Sequence, residues 1–404
     1  MNSERKRIGL AVLAAALGYF VDAYDLILYN IVRVQSLRGI GVPEAALLGN
    51  GVDLLNAQLI GMLVGGVLWG VLGDRRGRRS VLFGSIFLYS AATLANGLIH
   101  TLPAYRLCRL LAGVGLAGEL GAGVTLVAEL LPKQTRGYGT MIVAAVGVIG
   151  VVTASLVAGT FTWRTAYLIG GGLGILLLFL RIGVTESGLF AKVCERPVSR
   201  GNFFALFTRW ATFKKYLSVV MVALPIWVII GVLITFSPEL GRDMGLAPPP
   251  QAGRAVLWYY LGLTVGDLTT GYFSQRFANR KRVMAVFLAI TGVVGAAYFT
   301  FGGHSLGTYY SLCWALGWAS GYWAVFITMS AEQFGTNLRA TVATTAPNFV
   351  RGATVPITIA FRQLGPQIGM RNAAILVATL SLLVGAVALR SLDETYGKDL
   401  DFVE

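Results

Sequence analysis

The chain has 404 residues, of which 55% are hydrophobic and 13% charged, with a formal net charge of +14 at pH 7. Soluble domains carry about 25% charged residues, so this composition excludes an ordinary soluble fold and makes the bilayer the main solvent. The positive charge does not mark a nucleic-acid binder, because Lys and Arg fall in short clusters between apolar runs and not along one helix face.

Apolar runs of about 20 residues, the length needed to cross a bilayer, recur along nearly the whole chain. The first follows Arg5-Lys6-Arg7 and covers 8–31; it continues through Asp22 and Asp25 with no clear cleavage site, so it reads as a span and not as a secretion signal. Further spans are predicted at 47–73, 80–99, 103–131, 138–160 and 164–184. The polar interval from Thr185 to Lys215, with Lys192, Arg196, Arg200, Lys214 and Lys215, then reads as a linker. The remaining spans are predicted at 216–236, 252–275, 282–301, 305–333, 340–361 and 371–391. The expected fold is an all-α membrane protein of twelve spans. A six-helix bundle covers 1–184, a cytoplasmic linker 185–215, and a second six-helix bundle with a short tail 216–404.

Orientation follows from the basic loops, since Lys and Arg concentrate on the cytoplasmic side. Arg5 to Arg7, Arg75 to Arg79, Lys133 to Arg136, the linker, Arg276 to Arg282 and Arg339 all fall on one side, which places both termini in the cytoplasm of a cell inner (plasma) membrane. Arg33, Arg38, Arg164, Arg242, Arg362 and Arg371 lie opposite, so the bias is clear without being absolute.

The two halves repeat each other. Gly70-Val-Leu-Gly-Asp74-Arg75-Arg-Gly77-Arg78-Arg79 follows the second span and Gly271-Tyr-Phe-Ser-Gln275-Arg the eighth, an offset of 271 − 70 = 201. Glu129 leading to Arg136 follows the fourth span and Glu332 leading to Arg339 the tenth, with 332 − 129 = 203 and 339 − 136 = 203. Two motif pairs at nearly one offset indicate an internal duplication.

At these residues the chain resembles the major facilitator superfamily, whose loop after the second span Gly70, Asp74, Arg75, Gly77, Arg78 and Arg79 match in full. Arg109 with Gly113 and Gly115, Glu129 with Pro132 and Arg136, Arg181 through Glu186-Ser187, and Glu394-Thr395 with Gly397-Lys398 look like its sugar-porter and metabolite:proton symporter branch. Gly118-Glu119 and Asp22-Ala-Tyr-Asp25 resemble the metabolite:proton symporters, which carry small organic acids and betaine-like zwitterions. Span seven lacks the paired glutamines of sugar porters, and Gln275 stands where an Asp would complete the second loop motif. The resemblance implies a transporter working by alternating access between two halves.

Opposite charges at the inner helix ends suit a cytoplasmic gate: Gly70, Asp74, Arg75, Gly77, Arg78, Glu129 and Arg136 in the first half, Glu332 and Arg339 in the second. Loops that only set topology are the competing reading. Within the membrane a central charge costs about 3 kcal/mol and is kept mainly for function or pairing. Asp22 lies roughly 21 Å into span one and Arg109 roughly 9 Å from the outer end of span four, so their depths match. The resemblance to sugar porters implies a proton-coupling Asp–Arg pair, best matched by Asp25 with Arg109, with Asp22 as the alternative acid. A permanent ion pair competes with that role. Glu119, in the inner half of span four, is a further proton carrier or a packed carboxyl.

Arg351 lies roughly 16 Å into span eleven, flanked by Pro347 and Pro356, and is either an anion anchor or the partner of an acid such as Asp267. Tyr310, Trp314, Trp318 and Tyr322 recur every four residues in span ten. Trp314, Trp318 and Tyr322 either line the substrate cavity or pack between helices. No phosphate-cradling Gly-x-x-x-x-Gly-Lys loop, hydrolytic site or redox site occurs, and Cys108, Cys194 and Cys313 lie far apart without metal-ligand spacing. The chain therefore reads as a monomeric, cofactor-free secondary transporter that symports protons with a small organic anion or zwitterion. The alternatives are a proton-coupled exporter of organic cations, which Asp22, Asp25 and Glu119 would favour, and a transporter-like receptor that binds ligand without moving it.

Overall fold

The computed structural model describes residues 2–76, 78–130, 136–180 and 203–397. The first half contains α1 (Asn2–Gly39), α2 (Leu47–Arg76), α3 (Arg78–Leu98), α4 (Leu102–Leu130), α5 (Arg136–Thr160) and α6 (Trp163–Leu180). The second begins with a short helix, α7 (Ala205–Thr208), then α8 (Trp210–Val228), which passes into a π-helical turn over Ile229–Ile234, and α9 (Ser237–Asp243). It continues with α10 (Ala252–Arg276), α11 (Arg280–Phe301), α12 (Leu306–Ala319), α13 (Trp323–Glu332), α14 (Thr336–Ile368) and α15 (Met370–Arg390). With α8 and α9 forming span seven and α12 and α13 span ten, there are twelve spans in two six-helix bundles.

Glycines set the spacing inside each half. A Cβ on Gly61 or Gly65 of α2 would strike the α4 backbone at Leu110 or Val114, and one on Gly113 would strike Gln58. In the second half Gly262 and Gly266 of α10 lie against the backbone of Trp314 and Trp318, and Gly317 against Tyr259. Small residues let backbones approach where hydrophobicity gives no drive between helices in lipid. The offset 262 − 61 = 201 equals that of the Gly70 and Gly271 loop motif, so the duplication extends from loop chemistry to helix packing.

Three elements differ from the sequence expectation. α8 begins at Trp210, inside the interval read as linker, and α14 runs 33 residues through Pro347, Pro356 and Pro366 without a break. Span ten is not one helix: Ser320, Gly321 and Tyr322 interrupt it, with the Tyr259 hydroxyl 2.9 Å from the Ser320 hydroxyl and Thr270 Oγ1 donating to the Gly321 carbonyl at 2.7 Å. Asp267 Oδ1 then accepts the Ala324 amide at 3.1 Å, capping the restarted helix.

Among the described residues, seven helices are long and apolar enough to cross a membrane on composition alone. Spans eight and eleven are not among them, and these hold Asp267 and Arg351. Their charges are tolerated because they face the bundle interior.

Candidate substrate and proton site

The halves meet chiefly where α2 packs on α14 and α5 on α10. Along the first contact, Thr358 donates to Asn56 at 2.6 Å, the side chain of Leu63 abuts Gly352, and Asn348 Nδ2 donates to the Ala117 carbonyl at 3.0 Å. At the outer end Arg33 Nη2 donates to both Glu239 oxygens at 2.7 and 2.8 Å and to the Thr235 carbonyl at 3.3 Å, with its guanidinium 4.4 Å from the Phe236 ring centroid. Asp53 pairs with Arg362 across the same end and with Arg106 at 3.1 Å. This end of the interface, opposite the basic loops, is closed by ion pairs. In the sequence Arg33 and Arg362 stand out only as exceptions to the loop-charge bias.

At mid-depth Arg351 of α14 is 2% exposed and donates to Asn348 Oδ1 at 3.2 Å, one helical turn back. Its guanidinium lies 4.9 Å from the Trp227 ring centroid and 6.0 Å from that of Trp323. Those two rings meet edge to face at 6.1 Å, and the π-helical turn that follows α8 begins two residues after Trp227. Arg351 Nε has no hydrogen-bond partner, and no ion pair with Asp267 forms among the described residues. Asp22 of α1 lies within electrostatic reach of Arg351 from the first half. Both carboxylate oxygens of Asp22 are buried and unpartnered among the described residues, and Glu119 and Asp25 act on it through space.

Asp25 and Arg109 are fully buried, but no direct ion pair joins them among the described residues. Thr93 donates to Asp25 Oδ2 at 2.7 Å, while Arg109 donates to Gln58 and lies 4.9 Å from the Tyr29 ring centroid and 6.0 Å from that of Tyr167. Glu119 is buried on α4 at 2% exposure.

Of the aromatic stripe, Trp314 is 36% exposed on the outer surface of the bundle and Trp318 packs on Phe287 at 5.4 Å. Neither is brought to Arg351. The break after Ala319 ends the four-residue register, so Tyr322 is buried and donates to the Val222 carbonyl at 3.2 Å. Trp227, Trp323 and Asn348 occupy the place expected for the stripe. Of the three, only Asn348, three residues before Arg351 on one helix face, left a signal in the sequence.

At the inner end Gly70 lies 3.7 Å, by a built Cβ, from Thr345 of the other half, and Arg280 pairs with Glu332 at 2.8 Å. Gly77 and the side chains of Asp74, Arg75, Arg78, Glu129, Arg136 and Arg339 lie outside the described residues. Glu394 of the tail accepts the backbone amides of Arg280 and Lys281 at 3.1 and 2.8 Å, capping α11. Burial pushes the Glu394 carboxyl up, but amide donation from Lys281, Tyr396, Arg280 and Thr395 outweighs it and holds it below its usual value. Among the described residues no group of three acidic, His or Cys side chains is placed to hold a metal ion.

A family model for the Major Facilitator Superfamily matches residues 10–346. The chain is 26% identical over 431 residues to the niacin transporter NiaP of Acinetobacter baylyi, covering 96% of this chain and 94% of that one. It is 24% identical to the 3-(3-hydroxy-phenyl)propionate transporter of Escherichia coli, over 83% of this chain and 79% of the other. Among solved structures, the proton:xylose symporter XylE superposes with a TM-score of 0.71 at 19% identity, over 98% of both chains.

Proposed function

The chain belongs to the major facilitator superfamily and is a multi-pass membrane transporter of small molecules, and we propose that it symports protons with small organic carboxylates, aromatic ones foremost. The observation that carries this reading is Arg351: a buried guanidinium with no carboxylate partner among the described residues, held against two indole faces at the junction of the halves. A carboxylate there replaces water with a planar two-pronged donor, and a flat ring beside it stacks on Trp227 or Trp323. The relatives that carry niacin and a hydroxyphenyl propionate support the same choice. An exporter of organic cations is disfavoured, since Arg351 would repel its cargo.

Coupling follows from Asp22. As an anion it competes with the substrate carboxylate for Arg351 through space; carrying a proton it is neutral and leaves Arg351 to the substrate. Proton and substrate then bind together and leave together, the condition for symport. Asp25, Arg109 and Glu119 form a second polar layer that tunes the first half. In the membrane both termini face the cytoplasm, the linker 185–215 joins the halves, and the monomer is the working unit.

The test is uptake of radiolabelled nicotinate, benzoate and acetate into proteoliposomes under an inward proton gradient. Accumulation of the aromatic acids that collapses with a protonophore supports the reading. Binding without accumulation makes the chain a receptor, and gradient-driven extrusion of cations favours the exporter.

A further inference from the structure

On the lipid-facing side of the second half, far from Arg351, α11 and α15 bound a groove of about 630 Å³. Its floor is made of small side chains: Ala285, Ala289 and Gly292 on α11 face Leu382, Leu383 and Ala386 on α15. A Cβ on Gly292 would meet only the tip of Leu382 at 3.9 Å, so the groove is open space and not a packed seam. From Lys281 to Gly292 it runs about 16 Å along the helix, roughly the hydrocarbon depth of one leaflet.

The end nearest the basic loops is cationic. Lys281, Arg282 and Arg390 line it with Glu394, a balance of 3 − 1 = +2. Glu394 is engaged by backbone amides, and Lys281 Nζ donates to the Arg390 and Leu392 carbonyls at 3.1 and 2.6 Å. The Arg282 and Arg390 guanidiniums are exposed and have no carboxylate partner among the described residues. An apolar channel one leaflet deep, with two guanidiniums at its polar end that have no carboxylate partner among the described residues, matches an amphiphile with an anionic head and an acyl tail.

We infer that this groove binds one anionic phospholipid of the leaflet that faces the basic loops, its acyl chain along Ala285, Ala289 and Gly292 and its phosphate on Arg282 and Arg390. The site is independent of the substrate and proton reading. Native mass spectrometry of the detergent-solubilised chain with phosphatidylglycerol or phosphatidylcholine of identical acyl composition tests it. One phosphatidylglycerol is retained in preference to phosphatidylcholine. Arg282→Gln with Arg390→Gln removes that preference, weakening phosphatidylglycerol by about 30-fold if each cation contributes about 1 kcal/mol, and weakens phosphatidylcholine, whose choline offsets the charge of its phosphate, far less. Gly292→Phe weakens both lipids, because it fills the channel without touching the charges. Equal retention of the two lipids by the wild type overturns the proposal, as does unchanged phosphatidylglycerol retention in the charge variant. A dimer that Gly292→Phe dissolves also overturns it, because the groove would then be covered by a second copy. Should Gly292→Phe fail to fold, the charge variant alone decides.

Discussion

The outer latch offers the sharpest test of how the halves are held. Arg33 is fully buried and its Nη2 spans both oxygens of Glu239, which is 21% exposed, while Nε and Nη1 have no hydrogen-bond partner among the described residues. Charge-assisted hydrogen bonds contribute about 1.5–3 kcal/mol net. Because water reaches Glu239, the lower half of that range applies, about 1.5–2 kcal/mol. Glu239→Gln should therefore lower the ratio of outer-closed to outer-open molecules by roughly 10- to 30-fold. Removing both charges with Arg33→Met and Glu239→Leu should restore most of the closure, since no orphaned cation is left buried. Spin labels at Ala45→Cys and His304→Cys, one on each half in exposed outer segments and on a background lacking the native cysteines, read the separation. An unchanged distance distribution in Glu239→Gln refutes the latch. A double variant that opens as far as the single one refutes the orphaned-charge argument.

At the site, Arg351→Gln should weaken carboxylate binding by about 1.5–3 kcal/mol, roughly 10- to 150-fold, with Arg351→Lys intermediate because it keeps the charge without the planar fork; isothermal titration of the folded variants checks this. Trp227→Ala and Trp323→Ala should cost aromatic acids about 1 kcal/mol more than aliphatic acids of equal charge, read as the ratio of nicotinate to acetate affinities. Asp22→Asn should abolish gradient-driven accumulation while retaining exchange of labelled for unlabelled substrate, whereas undiminished accumulation moves coupling to Asp25 or Glu119. Glu394 is held below its usual value when folded, so its contribution is complete above the unfolded carboxyl value of about 4.3 and is lost as pH falls through the folded one. Thermal unfolding of Glu394→Gln should thus lie below wild type at pH 7 and converge with it in acid.

The twelve spans and the duplication were legible because both depend on local pattern: apolar runs of bilayer length, and loop motifs set by helix ends. Arg351 was legible for the related reason that an arginine inside an apolar run stands out. Its surroundings were not. Trp227 lies in span seven, two residues before the π-helical turn, and Trp323 opens α13 directly after the break at Ser320 to Tyr322, so no single periodic pattern joins them to Arg351. Four-residue periodicity assumes an unbroken helix, so it groups Trp314 and Trp318 with Tyr322, which lies past the end of their helix at Ala319. The Arg33–Glu239 latch, 206 residues apart in sequence, carries no local signal, because its spacing is set by the docking of two halves.

The two halves have diverged in chemistry while keeping their packing. Glycines at one offset hold α2 to α4 and α10 to α12, yet at the charged positions of the site no such correspondence holds. In the proposed coupling the first half contributes the acids Asp22, Asp25 and Glu119, whereas the second contributes Arg351, whose charge is permanent. Asp267, the acid of the second half at comparable depth, is committed to capping α13. In that proposal a fixed cation on one half faces a switchable anion on the other, so the electrostatic energy of the interface depends on protonation and on cargo at once. Neither half alone has that property. Moving the cation to the first half should therefore break coupling even where net charge is conserved: exchanging the pair as Asp22→Arg with Arg351→Asp preserves their mutual attraction but removes the guanidinium from Trp227 and Trp323. Such a variant should fold, and it should neither bind nor accumulate carboxylates. Restored accumulation in the exchange variant would mean that only the pair's attraction matters, and that the aromatic setting of Arg351 does not.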